Sequence, residues 1–135
     1  MKYMLDTNIC IYSMKNKPAI VSQKVNAHLE SGDDLCISSI TLAELEHGYQ
    51  KSVRKEKNLD SLIRLLVCVT VLPFDAAAAV EYGKICAYLE SQGKVIGTMD
   101  MLIAAHALSE NLTIVTNNVR EFERVPSLQI ENWSE

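Results

Sequence analysis

The chain has 135 residues, 48% of them hydrophobic, with 17 acidic side chains against 13 Lys and Arg and a net charge of -4. That length fits one domain, residues 1–135, with a real core, and the apolar content excludes a disordered chain. The mild acidity excludes a protein that holds nucleic acid by bulk charge alone, and it suits a cation site or a basic partner.

The elements then follow in order. Tyr3, Met4 and Leu5 form a short apolar run that stops at Asp6-Thr7-Asn8. This reads as a buried strand ending in a carboxylate, followed by a helix from Thr7 to about Met14. Pro18 suits the first turn of a second helix. Val21, Val25 and Leu29 give that helix one apolar face, and Gly32 ends it. Leu35-Cys36-Ile37 is a second strand. Thr41 and Glu44 have capping-box spacing, with Ile40 and Leu45 as a staple, for a helix reaching about Gln50. Lys51 to Asn58 reads as a polar, basic connection, and Leu59, Leu62, Ile63 and Leu66 mark the next amphipathic helix. A strand over Val69 to Leu72 stops at Pro73. Asp75 caps a helix striped by Ala78, Tyr82, Ile85 and Leu89, which Gly93 ends. After a loop, Asp100 opens a helix over Met101 to about Glu110, with Asn111 at its C-terminus. Leu112 to Val115 is strongly strand-like and ends at Thr116-Asn117-Asn118. Leu128 to Ile130 reads as a last strand at an edge, and Trp133 folds back on the body. Strands alternating with helices predict an α/β fold, with a mostly parallel sheet between two helical layers.

The four cysteines, Cys10, Cys36, Cys68 and Cys86, form no C-x-x-C pair. They read as small buried hydrophobes rather than a zinc or redox motif. No run approaches the roughly 18 apolar residues of a membrane span, and Asp6 interrupts the first apolar stretch. A soluble, reduced, cytoplasmic protein is expected.

Asp6, Glu44, Asp100 and the pair Asn117-Asn118 all fall near the carboxyl ends of strands, where open α/β sheets bind ligands. Each residue has an ordinary structural reading: helix caps for Asp6, Glu44 and Asp100, turn residues for the asparagines. Their common address is the informative feature. Two carboxylates 4 Å apart repel by about 4 kcal/mol at an effective dielectric of 20. Crowded acids must raise their pKa values or bind a divalent cation, and hard oxygen ligands favour Mg²⁺ or Mn²⁺. Such an ion supports phosphodiester hydrolysis. His106 reads as a packing histidine, and His28 and His47 have no clear partner. Tyr49 and Tyr82 read as packing. Lys51, Arg54, Lys55 and Lys57 form the one basic cluster, either a solvated loop or a rim for RNA phosphates.

These residues resemble the PIN-domain ribonucleases, and among them the VapC toxins of type II toxin–antitoxin modules. The resemblance runs through Met4-Leu5-Asp6-Thr7-Asn8, Ile37 to Leu45 with Gly48, Ile96 to Asp100 with Ile103 to Ala107, and Val115 to Asn118 with Arg120-Glu121-Phe122. It implies an α/β/α PIN fold and a Mg²⁺-dependent endoribonuclease, with Mn²⁺ able to substitute. Asp6 and Asp100 match the family's principal metal ligands, and Glu44 matches its third acid. Where many members carry a further Asp, this chain has Asn117 and Asn118, with Glu121 slightly later. Glu121 or an Asn is expected to act through water and orient the site. Thr7, Asn8 and Thr116 are candidate orienting groups, and Lys51, Arg54 and Lys55 candidate RNA contacts. The resemblance further implies a tRNA substrate, a VapB-type antitoxin as partner, operator DNA bound only through that antitoxin, and a homodimer. A degenerate PIN module that only binds RNA or protein is the alternative. A receiver domain would need an acidic pair after the first strand and a late Lys. A haloacid-dehalogenase-type phosphatase would want Asp where Asn8 stands.

Overall fold

The computed structural model describes residues 1–135. Five short strands make one sheet: β1 Lys2–Leu5, β2 Asp34–Ser38, β3 Thr70–Leu72, β4 Thr113–Val115 and β5 Ile130–Glu131. Between β1 and β2 run α1 (Thr7–Lys15) and α2 (Ala19–Glu30). α3 (Ser39–Gln50) and α4 (Lys55–Cys68) lead to β3, and α5 (Ala76–Ser91) and α6 (Thr98–Ser109) lead to β4. The short α7 (Val119–Phe122) precedes β5. The strand order is β3-β2-β1-β4-β5, and every pairing is parallel.

Side-chain alternation along the strands splits the core in two. Tyr3, Leu5, Leu35, Ile37 and Val115 face one side and pack with Ile9, Val21, Val25, Leu62 and Leu65 of α1, α2 and α4. Met4, Cys36 and Ile114 face the other, against Ile85 and Leu89 of α5 and the buried Ala104, Ala105 and Ala107 of α6. The chain adds strands in one direction from β1 to β3, then crosses back to β4. Right-handed crossovers require the helices to change face at that reversal, which is the division these clusters make. The expected α/β/α layering is therefore present, with a wholly parallel sheet.

Several local expectations are corrected. Ser38, not Thr41, caps α3: its hydroxyl accepts from the Ile40 amide at 3.0 Å, and Thr41 is buried inside the helix. No capping box forms, and the Ile40–Leu45 staple is absent, because those two residues pack against opposite cores. Pro18 is the residue before α2 rather than inside its first turn. α4 begins at Lys55, so half of the basic connection is helical. Of its expected stripe only Leu62 is buried; Leu66 is half-buried, Leu59 and Ile63 stay exposed, and Leu65, outside that stripe, is buried instead. α6 begins at Thr98, which puts Asp100 in its first turn rather than at its cap. Of the cysteines, Cys10 and Cys36 are buried as expected, but Cys86 is only half-buried and Cys68 is exposed.

Asp75 caps α5 through the Ala78 amide at 3.0 Å, and Asn111 takes a left-handed φ of 55° just past α6, as expected. Trp133 does fold back, and is 2% exposed. Its indole stacks on His28 with ring centroids 4.1 Å apart, meets Tyr3 edge-on at 5.1 Å, and donates to Glu131 at 3.0 Å. His28 therefore has partners the sequence did not reveal, including Asp33 at 2.8 Å. Truncating a buried Trp generally costs about 3–5 kcal/mol. Trp133→Ala should lower the unfolding free energy by that order, read from the urea midpoint at unchanged slope; a loss near zero would mean the C-terminal segment does not close this core.

Candidate active site

The reversal of strand order lies between β1 and β4, so their carboxyl ends flank a crevice of the kind where parallel sheets bind ligands. Asp6 follows β1, and Thr116 follows β4. The Asp6 amide donates to the Val115 carbonyl at 3.0 Å, which carries the parallel pairing up to the carboxylate itself. Asp6 is only 3% exposed. One of its oxygens accepts from the Ile9 amide at 2.9 Å and so caps α1. The other accepts from the Thr116 hydroxyl at 2.5 Å. Cap and site residue were alternatives in the sequence; here one side chain has an oxygen committed to the cap and another turned to the far strand.

Glu44 projects from the second turn of α3 and is half-buried. Thr7, in the first turn of α1, donates to Glu44 at 2.5 Å and lies 3.3 Å from the Thr41 hydroxyl. The Thr41–Glu44 spacing that suggested a capping box instead puts both residues on one helix face, turned toward Thr7. Thr41 is a site neighbour that the sequence assigned to another job.

Asp100 is half-buried in the first turn of α6, and Asn118 hydrogen-bonds to its carboxylate. The Asn118 side chain also donates to Glu121 at 3.1 Å, and its backbone amide donates to the Thr116 hydroxyl at 2.9 Å. Asn118 thus links Asp6, through Thr116, to Asp100 and Glu121. Its neighbour Asn117 turns away and donates to the Tyr12 hydroxyl at 3.1 Å. Asn8 is exposed on α1. Lys51 and Arg54 are exposed beyond α3, Lys51 roughly 10 Å along the helix axis from Glu44. Lys55 closes the end of that helix, donating to the Gln50 carbonyl at 2.6 Å and lying 5.0 Å over the Tyr49 ring. His106 is fully buried and pairs with Ser38 at 2.8 Å, a packing position as read from the sequence.

These acids lie within electrostatic reach of one another. Burial pushes Asp6 up to about 6; Asp100 and Glu44 add to the rise, and the Thr116 and Ile9 hydrogen bonds oppose it. Asp100 is also raised, first by burial, then by Glu121 and Glu44, against the Asn118 hydrogen bond. The ion pairs of the fold lie elsewhere, at Met1–Asp33, His28–Asp33 and Lys84–Glu81. No Lys or Arg therefore neutralises this cluster. No three histidine, cysteine, aspartate or glutamate side chains are grouped closely enough to hold a metal ion by themselves. Zinc demands a closed or nearly closed shell of protein ligands, whereas Mg²⁺-type ions keep several waters and take one or two carboxylates. An open, all-oxygen, uncompensated cluster fits the second kind of ion.

Because its folded-state value of about 6 lies above the 3.8 of an ordinary aspartate, ionised Asp6 costs folding free energy. The cost is complete above about pH 6 and vanishes as pH falls below 3.8. In metal-free protein, Asp6→Asn should therefore raise the thermal unfolding midpoint at neutral pH, through a gain of at most about 3 kcal/mol in unfolding free energy. That gain should fade as pH drops through this window. A gain that persisted in acid would show that buried charge is not its cause.

A PIN domain model matches residues 3–128. A tRNA(fMet)-specific endonuclease VapC of Shigella flexneri is 51% identical over 134 residues, covering 99% of both chains. The Ribonuclease VapC2 of Haemophilus influenzae is 46% identical over 98% of both. Among solved structures, VapBC2 from Rickettsia felis bound to a promoter DNA fragment superposes with a TM-score of 0.92 at 42% identity, covering 98% of this chain and 99% of that one. With carboxylates gathered at the switch point of a parallel sheet and near full-length likeness to these enzymes, the chain belongs to the PIN-domain family, in its VapC ribonuclease branch.

Proposed function

We propose that this protein is the toxin of a VapBC-type module: a divalent-metal-dependent endoribonuclease that cuts tRNA, with the anticodon stem-loop as the target region and Mg²⁺ as the working ion. The observation that carries this reading is the convergence of Asp6, Glu44, Asp100 and Glu121 without a cationic side chain among them. The name of the Shigella relative supplies the tRNA class, and the VapBC complexes supply the partner class. A VapB-type antitoxin would neutralise the toxin and carry operator DNA contact. The exposed stripe Leu59, Ile63 and Val67 on α4 is apolar surface such a partner can remove from water. No helix is long and apolar enough to cross a membrane.

In this mechanism Asp6, Asp100 and Glu44 would hold the ion, directly or through its waters. When bound, it supplies neutralisation of phosphate charge and a coordinated water of lowered pKa. The chain's own work is orientation. Thr116 and the Ile9 amide fix the two oxygens of Asp6. Thr7 fixes Glu44, and Asn118 holds Glu121 and Asp100 in a fixed relation. These hydrogen bonds lock the acids before substrate arrives, so little reorganisation is left for the reaction.

Asp6→Ala and Asp100→Ala should each retain native far-UV circular dichroism and lose Mg²⁺-dependent cleavage of tRNA by at least two orders of magnitude. Sequencing of RNA ends after brief expression, against the Asp6→Ala control, identifies the cut tRNA. Undiminished cleavage by both variants would remove the site assignment. A wild-type protein that binds tRNA but cuts none with Mg²⁺ or Mn²⁺ would leave the degenerate binding module instead. Thr116→Val removes a hydrogen bond that favours ionised Asp6, so the acid limb of the cleavage–pH profile should move to higher pH. An unmoved limb would mean Asp6 ionisation does not set it.

A further inference from the structure

A second concave surface lies beside this site, and its interpretation rests on the ribonuclease reading just given. A cleft of about 620 Å³ opens between the end of α5 and the segment around α7. Lys94, Arg120 and Arg124 line it, with one acid, Glu123, and with Tyr88, whose side chain is 45% exposed. None of the three cations has a carboxylate ion-pair partner. Arg124 is already oriented: its guanidinium donates to the Val95 carbonyl at 3.3 Å, on the segment that leads into α6 and Asp100. Arg120 borders a second cleft, of about 530 Å³, shared with Asn117. It also precedes Glu121 directly in α7. Asp6, Glu44, Asp100 and Glu121 line neither cleft; the basic cleft neighbours the acidic site through Arg120, next to Glu121, and through Arg124, held to the segment that leads into α6.

This is charge segregation in a chain whose net charge is -4. An acidic centre must accept one phosphate of a polyanion that the rest of the surface repels. Cations placed next to it draw in the neighbouring phosphates and set the strand's register. Guanidinium groups match phosphate oxygens in pairs, and an exposed tyrosine offers a face to an unstacked base. The Lys51–Lys55 cluster is less suited, because Lys55 is committed to the α3 terminus. We propose that the cleft of Lys94, Arg120 and Arg124, with Tyr88 in its wall, holds the RNA phosphates flanking the scissile one. An acidic segment of a protein partner could meet the same cations, but the place of Arg120 next to Glu121 and the open aromatic face of Tyr88 favour RNA.

The test is the salt dependence of binding of unfractionated tRNA to the full chain, with chelator present to silence cleavage. Lys94→Gln, Arg120→Gln and Arg124→Gln combined should weaken binding at least tenfold at low salt. The slope of log K against log salt should become shallower by about 2, near 0.7 per lost contact. A charge-matched set, Lys2→Gln, Lys15→Gln and Lys17→Gln, should keep the wild-type slope. Tyr88→Ala should weaken binding without changing it. If the triple variant unfolds, Lys94→Gln and Arg120→Gln alone should each remove about a third of the effect. An unchanged slope in the cleft variants overturns the proposal, as does an equal fall in the charge-matched set or a fall confined to neutralising Lys51, Arg54 and Lys55. Loss of antitoxin binding with the tRNA slope intact overturns it in favour of a protein site. Wild-type protein that binds with the full slope yet cuts nothing in Mg²⁺ defeats the ribonuclease reading alone and leaves the cleft assignment standing.

Discussion

The bond between Asp6 and Thr116 spans the two central strands at the point where the sheet changes direction, and the site is built outward from it. It joins residues 110 apart in sequence at 2.5 Å, in a place where Asp6 is almost sealed from water. A carboxylate there is tolerated because its acceptor capacity is used by a hydroxyl and by an amide at a helix start. Those two donors lower its pKa, but not enough to offset burial. The fold thus keeps an aspartate near the edge of ionisation, with folding free energy held in reserve for whatever cation relieves it.

Around that pair the protein sets acids beside acids and leaves them without basic side chains. Elsewhere it does the opposite: Asp33 sits between the N-terminal ammonium and His28. The contrast makes the uncompensated cluster a property of one locality. Neutral donors do the holding, Thr7 for Glu44 and Asn118 for Asp100 and Glu121. Hydroxyl and amide groups orient carboxylates without cancelling their charge, which a lysine in the same place would do. Asn118 stands between Glu121 and Asp100. An amide there links two carboxylates instead of adding a third repulsion. On the flank, three cations gather in a cleft whose Arg120 precedes Glu121 in α7. Opposite charges are sorted into adjacent compartments, as a polyanion cut by a metal centre requires.

Local physics was legible residue by residue. Alternating burial in Tyr3-Met4-Leu5 and Leu35-Cys36-Ile37, the Asp75 cap and the breaks at Gly32 and Gly93 follow from period, capping and backbone freedom, and the elements stand where they were read to within a few residues. The placement of Asp6, Glu44 and Asp100 at one end of the sheet followed as well, because in parallel βα units every strand ends on the same side. Capping at α3 was misread because Ser38 and Thr41 are both good caps, and the choice rested on where β2 stops pairing with β3. The α4 stripe was misjudged because Leu59, Leu62, Ile63 and Leu66 share one helical pattern, yet the side that meets a neighbour is that of Leu62 and Leu65, and periodicity does not reveal which side does.

Sequence alone determined the alternation of strands and helices, the acids and their common end of the sheet, and hence the choice between raised pKa values and a bound cation. Those are one-dimensional facts: spacing, residue type and the polarity of the chain. Tertiary structure decided the rest. It chose Thr116 as the partner of Asp6, turned Asn118 toward the acids and Asn117 toward Tyr12, and brought Lys94 to Arg120 and Arg124 across α6 and β4. Each is a meeting between side chains on different elements. The order of the strands and the faces of the helices set it, and no local pattern in the chain encodes it.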